Sequence, residues 1–541
     1  MTVKNPQLLS AGPFSGVRAT YRLGTVQPGD LLWLQNCHVD GGAVVSRPGV
    51  RLASPTSPDG ITAGAHSCQL IHEFIKLDGT RLIVGVWNGL VHTYDSTGDS
   101  WTEVLGASDF SGQSITRSTT AQWYAVTFNN QVVFTDGTNV PFMWDGTTNG
   151  GLTKLTNVPV FYGQPTVHYA KLFAIKATDR ATIVWSEEVD AATGYEQSGY
   201  NNTWTLRQTG SVPLTVIRGT NTGLFYWREE GIGVIDGAVT SDFSSTGTDD
   251  AISSTIGILS PEGVEWHGGL FWFVDQHGRM WAMSPSGQMQ PLWKDMEATF
   301  SRAGPTLLQS ILVRAPDPTL LKVDYNGATD HIMLHWRGTD SKNIYYVFDA
   351  NTGRFQGRWN PHFTIGINPM SAATVRLDSG APAWFMGFEN SFAGYIESTG
   401  FLGNGRYQDF VAATQSTVSY LCRVTGPAHG WNPKIYYDFQ RLDLAFKSGL
   451  LSTSTANYTV VLYTSGQARQ GVNAASYHAT VTVQSARNIT EDSHKAVFVS
   501  GKGRWGVVEF QFAPPDQAFA HNTIHGWVLT AQVADMDSEG R

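Results

Sequence analysis

The stretch Gly268-Gly-Leu-Phe-Trp-Phe-Val-Asp-Gln-His-Gly-Arg-Met-Trp-Ala-Met-Ser-Pro-Ser-Gly287 decides the reading of the fold. Leu270 to Val274 is an apolar, aromatic run. Asp275-Gln-His-Gly278 follows as a tight turn, and Arg279 to Met283 is a second run. Ser284-Pro-Ser-Gly287 turns again towards a third run, Gln290 to Trp293. Short β-prone runs divided by turn residues are the local mark of an antiparallel meander.

The unit recurs along the chain. Arg81 to Trp87 pairs with Leu90 to Tyr94, Gln131 to Thr135 with Val140 to Trp144, and Lys171 to Ile175 with Thr182 to Trp185. Gly223 to Trp227 pairs with Ile232 to Ile235, His331 to Trp336 with Ile344 to Phe348, and Ala383 to Phe388 with Phe392 to Ile396. With the opening stretch this makes about seven units, spaced roughly 40 to 60 residues apart, as four-stranded propeller blades are. A lone small sheet leaves both faces wet, whereas a ring of sheets covers each face with the next. That is why the runs are nearly continuous in apolar residues and do not alternate. The expected fold class is all-β: a propeller of about seven blades, preceded by a lead-in hairpin and followed by a β-sandwich.

Composition agrees with an all-β chain. Among 541 residues there are 57 glycines and 64 Phe, Trp and Tyr (27 + 18 + 19), which suits many turns and packed strands. The net charge of −9 argues against general nucleic-acid binding, which calls for a basic surface. Three scattered cysteines, Cys37, Cys68 and Cys422, do not make a disulfide framework. No apolar run is long enough to span a bilayer. The opening Met1-Thr-Val-Lys-Asn-Pro-Gln7 lacks the plan of a signal peptide, so folding in a reducing cytoplasm is expected.

Three regions are expected: residues 1–65 as lead-in and assembly segment, 66–405 as propeller, and 406–541 as β-sandwich. In the lead-in, Gln35-Asn-Cys-His-Val-Asp-Gly-Gly42 and Ala43-Val-Val-Ser-Arg-Pro-Gly-Val50 read as a hairpin with an Asp-Gly-Gly turn, and the plain expectation is that it closes or caps the propeller. Ala238 to Ser254 reads as a long loop between blades, and Asp295 to Ala303 as a short helix. In the last region Tyr458 to Thr464 and Thr480 to Val483 alternate apolar and polar residues, as strands with one wet face do.

An early Asn36, the turn Asp40-Gly41, then Arg47 and Pro48 resemble the start of the tail nozzle (tail tubular protein B-like) proteins of short-tailed bacteriophages. Gly501 to Phe510 and His525 to Val533 resemble C-terminal domains of phage tail proteins more loosely. The rest of the likeness is one of architecture, and this chain is shorter than nozzles generally are. The resemblance implies a structural virion protein of the tail, assembled in the host cytoplasm, forming a homohexameric ring with tail adaptor and tail fibre proteins as partners. That ring extends the DNA channel and gates DNA ejection. An acidic chain with few basic clusters suits a wall past which DNA slides, since each neutralised phosphate would add affinity.

No catalytic, cofactor or metal site is expected, and the chain is read as no enzyme. Asp95-Ser-Thr-Gly98-Asp-Ser-Trp101 comes near a sialidase Asp box but sets the Asp one place too early, so it reads as a capped turn with a packed Trp. Glu187-Glu188, Glu229-Glu230 and Asp249-Asp250 are neighbours that a strand sends to opposite faces, unlike carboxylates opposed across a glycosidic bond. Carboxylates distant in sequence remain free to converge in a central channel. His331 and His335 lie on an expected strand and not on a metal-binding helix, and phosphate-loop and nucleophile-elbow motifs are missing. The alternative is a carbohydrate-binding or glycan-cleaving propeller used in receptor recognition; a cytoplasmic scaffold for protein partners is a third.

Overall fold

The computed structural model describes residues 7–18, 27–188, 190–195, 202–206, 212–236, 248–296, 317–337, 345–359, 369–397, 408–411, 416–419, 421–429, 435–447, 457–465, 476–484, 493–503, 505–512 and 523–536. Nearly all of them lie in strands and turns. Among them the one α-helix is Ala107–Gly112, and no helix is long and apolar enough to cross a membrane.

The deciding stretch forms a sheet of four antiparallel strands, Val264–His267, Leu270–Val274, Met280–Met283 and Met289–Pro291. Its first turn uses Gly268 and Gly269 at φ of +61° and +76°, a region where side chains are strained. In the second turn the Asp275 carboxylate accepts hydrogen bonds from the backbone N–H groups of His277 and Arg279 and from Trp281 Nε1. Phe271 and Phe273 pack with Trp227 of the preceding sheet and with Ile258 of the connection that follows it. Trp272 and Val274 join a core with Leu321 and Phe348 of the following one. Each of the four is at most 1% exposed, so successive side chains are buried on opposite faces and the run is apolar throughout. Burial of such a side chain contributes roughly 1.5–3 kcal/mol.

The same plan builds four earlier sheets, beginning at the strands Cys68–Ile75, Tyr124–Phe128, Phe161–His168 and Leu214–Gly219. A further four strands, Leu321–Asn326, His331–Trp336, Tyr345–Asp349 and Phe355–Trp359, follow, and then three more, Pro369–Arg376, Pro382–Phe388 and Ala393–Glu397. The last group takes its fourth strand, Arg51–Leu52, from the start of the chain. The last group also meets the first: Ile71 N donates to Ser371 Oγ at 2.9 Å, and the Trp101 and Phe385 rings lie 6.2 Å apart. The sheets thus close on themselves as a β-propeller.

Two expectations change. The hairpin Cys37–Asp40 and Ala43–Ser46 does not close the propeller; it pairs through Val44 and Val45 with the strand Thr523–Met536. Closure falls to Arg51–Leu52, directly after Arg47-Pro48-Gly49, where the chain turns away. The expected loop at Ala238 to Ser254 contains a strand, Thr248–Ser253, which pairs with Ile232–Asp236. Its polar Thr248-Asp249-Asp250 hides it because an outer strand is held by its backbone and buries little. Residues 237–247 lie outside the described residues. So does most of the expected helix from Asp295 to Ala303; Trp293–Met296 is a 3-10 turn.

Beyond residue 421 the strands join two sheets. One runs in the order Ser493–Gly503, Ile435–Lys447, Thr523–Met536, Ala43–Ser46, Cys37–Asp40, with Gln7–Ala11 also on Thr523–Met536. The other continues outwards from Phe355–Trp359 through Trp33–Gln35 to Cys422–His429, Trp505–Phe512, Asn457–Ser465 and Ser476–Gln484. Alternate residues of both sheets, among them Leu442, Leu444, Leu529, Val460, Leu462 and Phe510, share one core. The lead-in strand Trp33–Gln35 therefore stands between the propeller and the C-terminal strands.

Candidate functional site

The first strand of each propeller sheet faces the middle of the ring. Together they place His72, Tyr124, Gln164, Arg218, Glu265, Asp324 and Thr374 around a cavity of about 240 Å³. Charged groups from separate parts of the chain meet there. Lys322 Nζ lies 3.2 Å from Glu262 Oε1 and 3.3 Å from Asp324 Oδ1, and donates to the Ala372 carbonyl at 3.0 Å. His335 Nε2 lies 2.7 Å from Asp324 Oδ2. Arg337 Nε lies 2.8 Å from Glu262 Oε2 as an ion pair whose N–H is not aligned for a hydrogen bond, while its Nη1 donates to Gln122 Oε1 at 2.7 Å. The network ties several sheets together across the channel.

Arg218 and Glu265 sit apart from it. The Arg218 guanidinium donates to the Ile217 carbonyl at 3.0 Å, Gln164 Oε1 at 2.9 Å and the Val264 carbonyl at 3.3 Å. Glu265, on the neighbouring strand, has neither a hydrogen bond nor an ion-pair contact among the described residues. Burial, and then the charge of Asp324, push its carboxyl up to about 8. Burial pushes Glu262 in the same direction, but Arg337 and Lys322 outweigh it and hold that carboxyl below its ordinary value. Burial lowers the His72 imidazole to about 4, so it faces the channel uncharged. The two carboxyls of one cavity are thus shifted in opposite directions, Glu265 upwards and Glu262 downwards.

None of the adjacent carboxylates noted in the sequence lines this cavity. Glu187 accepts from Asn202 at 3.0 Å, Glu229 lies 3.3 Å from Arg180, and Asp249 accepts from Tyr226 at 2.6 Å. Asp95 accepts from the Thr97 N–H at 2.8 Å and Trp101 is buried, as the capped-turn reading expects. His331 and His335 part company: His335 joins the network, while the His331 ring rests 4.9 Å from His38 and 5.6 Å from Trp359. The three cysteines are buried and form no disulfide. The channel residues went unnoticed because the first strands, such as Val264-Glu-Trp-His267, lack an apolar run. Their position just before each apolar strand was the available signal.

The residues behind the phage-tail resemblance gather at a second place. Asn36 adopts φ +57° and its Nδ2 donates to the Leu421 carbonyl at 2.8 Å. Its backbone N–H donates to the Arg358 carbonyl at 2.8 Å, and its own carbonyl accepts from Arg47 N at 3.0 Å. Arg47, fully buried, donates from Nε to Asn36 Oδ1 at 3.0 Å and from Nη1 to the Pro48 carbonyl at 2.9 Å. Asn36 thus holds the propeller at Arg358 and the C-terminal sheets at Leu421, with Arg47 fixing it from behind. Asp40 and Pro48 border a separate cavity of about 370 Å³ with His331, Asp330 and Asp349.

No protein-family profile matches the sequence, and no curated protein matches it. Among solved structures the chain is similar to the extracellular domain of a hybrid two-component system from B. thetaiotaomicron, at 12% identity over 64% of this chain and 39% of that one, with a TM-score of 0.41. It is similar to YCF48 bound to D1 peptide at 9% identity over 64% and 98% of the two chains, TM-score 0.37. It is similar to BamB from Moraxella catarrhalis at 10% identity over 67% and 95%, TM-score 0.35.

Proposed function

We propose that this chain is a structural subunit of a short bacteriophage tail, of the nozzle type. In this reading the propeller has seven blades, the seventh completed by Arg51–Leu52, and copies of the chain form a hexameric ring that extends the DNA path and gates ejection. The observation that carries the proposal is the position of Asn36 and Arg47. These two residues, on which the sequence resemblance rests, join the lead-in, a propeller sheet and the C-terminal strands at a single buried point. A tube-wall subunit has to resist force as one body, and a lead-in threaded through two sheets supplies that.

The propeller's own channel is no route for DNA, because a crossed and charged cavity of about 240 Å³ is smaller than the usual range for a drug-sized ligand. DNA would pass through the space enclosed by the ring, beside a chain whose net charge is −9. Native mass measurement tests this, on the protein alone and mixed with tail adaptor protein. A ring of about six copies in either sample is expected, since closed symmetric rings are how such subunits bound a channel. A monomer in both samples overturns the proposal.

A further inference from the structure

The lead-in hairpin meets the propeller through side chains. Among the described residues, Cys37–Asp40 has ladder pairing only with Ala43–Ser46, and no propeller strand joins it. Two hydrogen bonds cross the seam to the strand Phe355–Trp359. The Val39 N–H donates to Gln356 Oε1 at 2.9 Å, and Trp359 Nε1 donates to the Cys37 carbonyl at 3.2 Å. Three rings pack beside them: His38 lies 4.9 Å from His331 and 5.9 Å from Trp359, and His331 lies 5.6 Å from Trp359. His38 is 8% exposed, His331 3% and Trp359 1%, so an imidazole from the lead-in and one from the propeller share an enclosed site. The charged side chains lining the adjoining cavity of about 370 Å³ are acidic: Asp330 and Asp349 from the sheet of His331, Asp40 from the hairpin and Glu397 from the next sheet. Asp330 also lies 3.9 Å from His267. Asp330 accepts from the Tyr325 hydroxyl, and Asp349 from the N–H groups of Asn351 and Thr352, so both are held within their own sheet. Burial keeps the His331 imidazole down at about 4, although the charges of Asp349, Asp330 and Asp40 and the Thr329 backbone act the other way.

We propose that this seam is an acid-sensitive latch: a proton taken up by the His331–His38 pair sets a charge inside the enclosed ring cluster and parts the hairpin from the propeller. Uncharged, the two imidazoles pack against Trp359; an imidazolium in the same place gives up its water at a cost. An imidazole freed from the seam takes its proton near 6.5, and the enclosed His331 near 4. The closed seam therefore has its full advantage above about 6.5 and loses it as the pH falls to about 4. The propeller and the C-terminal strands remain joined through Trp33–Gln35, whose pairing does not involve the two histidines, so the opening is local to the hairpin side. The latch does not rest on the tail reading, since one chain carries all of it and a ring is able to form with the seam closed.

The test is amide hydrogen exchange of the full chain at about pH 7.5 and about pH 4.5, read at Val39 and its hairpin neighbours, in the wild type and in His331→Phe. Comparing two proteins at one pH cancels the intrinsic pH dependence of exchange. The strand Leu224–Arg228, in another propeller sheet, reports unfolding of the whole chain. On going to the lower pH, the wild-type hairpin is expected to lose at least about tenfold more protection than the hairpin of the variant, with Leu224–Arg228 alike in both. His331→Gln, uncharged at both pH values, takes the place of His331→Phe where the latter does not fold. An equal loss of hairpin protection in the wild type and in the uncharged variant overturns the proposal. So does a loss at Leu224–Arg228 that keeps step with the hairpin.

Discussion

Glu265 shows how a single residue's surroundings make a measurable prediction. Its carboxyl titrates near 4.5 when free and near 8 in the folded chain. Between those values the folded state keeps a proton that the unfolded state has released, so raising the pH across the window lowers stability. The contribution is full below about 4.5 and gone above about 8, and a shift of this size corresponds to a few kcal/mol at order of magnitude. The charged groups facing Glu265 from neighbouring strands are Arg218, Lys322 and Asp324, with Glu262, Arg337 and His335 behind them. All are common to the wild type and to Glu265→Gln, so the difference between the two isolates one carboxyl. Melting temperatures are expected to run close at pH 5, with the Gln protein several degrees higher by pH 8.5. Parallel curves across that range would mean that Glu265 does not hold its proton. None of this was legible in the sequence, where Glu265 is one acid in a short polar run. Asn36 and Arg47 were legible only as a pattern. That they touch depends on the Asn36 backbone at φ +57°, a conformation that short polar side chains tolerate best.

At the scale of the strand, legibility followed burial. The second and third strands of each sheet, such as Leu270–Val274 and Met280–Met283, are covered on both faces and stand out as aromatic runs. First strands carry channel polar groups, and the outer strand Thr248–Ser253 is held chiefly by backbone pairing, so neither has a strong pattern. Ring closure depends on a contact that the sequence hides completely. A Cβ on Gly387, in the strand Pro382–Phe388, would come within 2.1 Å of Cys68 Sγ in the first sheet. Gly387→Ala therefore has to part the two sheets or distort one, at a cost of roughly 1–3 kcal/mol for overpacking. Burial also pushes the Cys68 thiol up to about 12, so it is inert in the closed ring. Thiol labelling followed by peptide mass mapping should show Cys68 reacting faster in Gly387→Ala, with Cys37 and Cys422 unchanged. Equal rates at all three positions would place the weak seam elsewhere.

At the scale of the molecule, the expected division into lead-in, propeller and sandwich describes composition better than mechanics. A strand register joins residues far apart in the chain, and no periodicity announces it: Gln35 is paired with both Arg358 and Arg423. The propeller and the C-terminal strands consequently share a nine-stranded sheet and one hydrophobic core. Bodies that share a sheet and a core should lose structure together, so scanning calorimetry of the full chain is expected to show one main unfolding transition. Deleting residues 1–50 removes Trp33–Gln35, the hairpin and the Asn36–Arg47 junction, but leaves the closing strand Arg51–Leu52. The propeller then keeps its ring while the C-terminal strands lose their bridge, and two separated transitions are expected, the lower from residues beyond 421. Two transitions already present in the full chain would show that the bridge is too weak to transmit force. The deleted protein would then be expected to assemble as the full one does, and the lead-in would have no part in making a rigid tube wall.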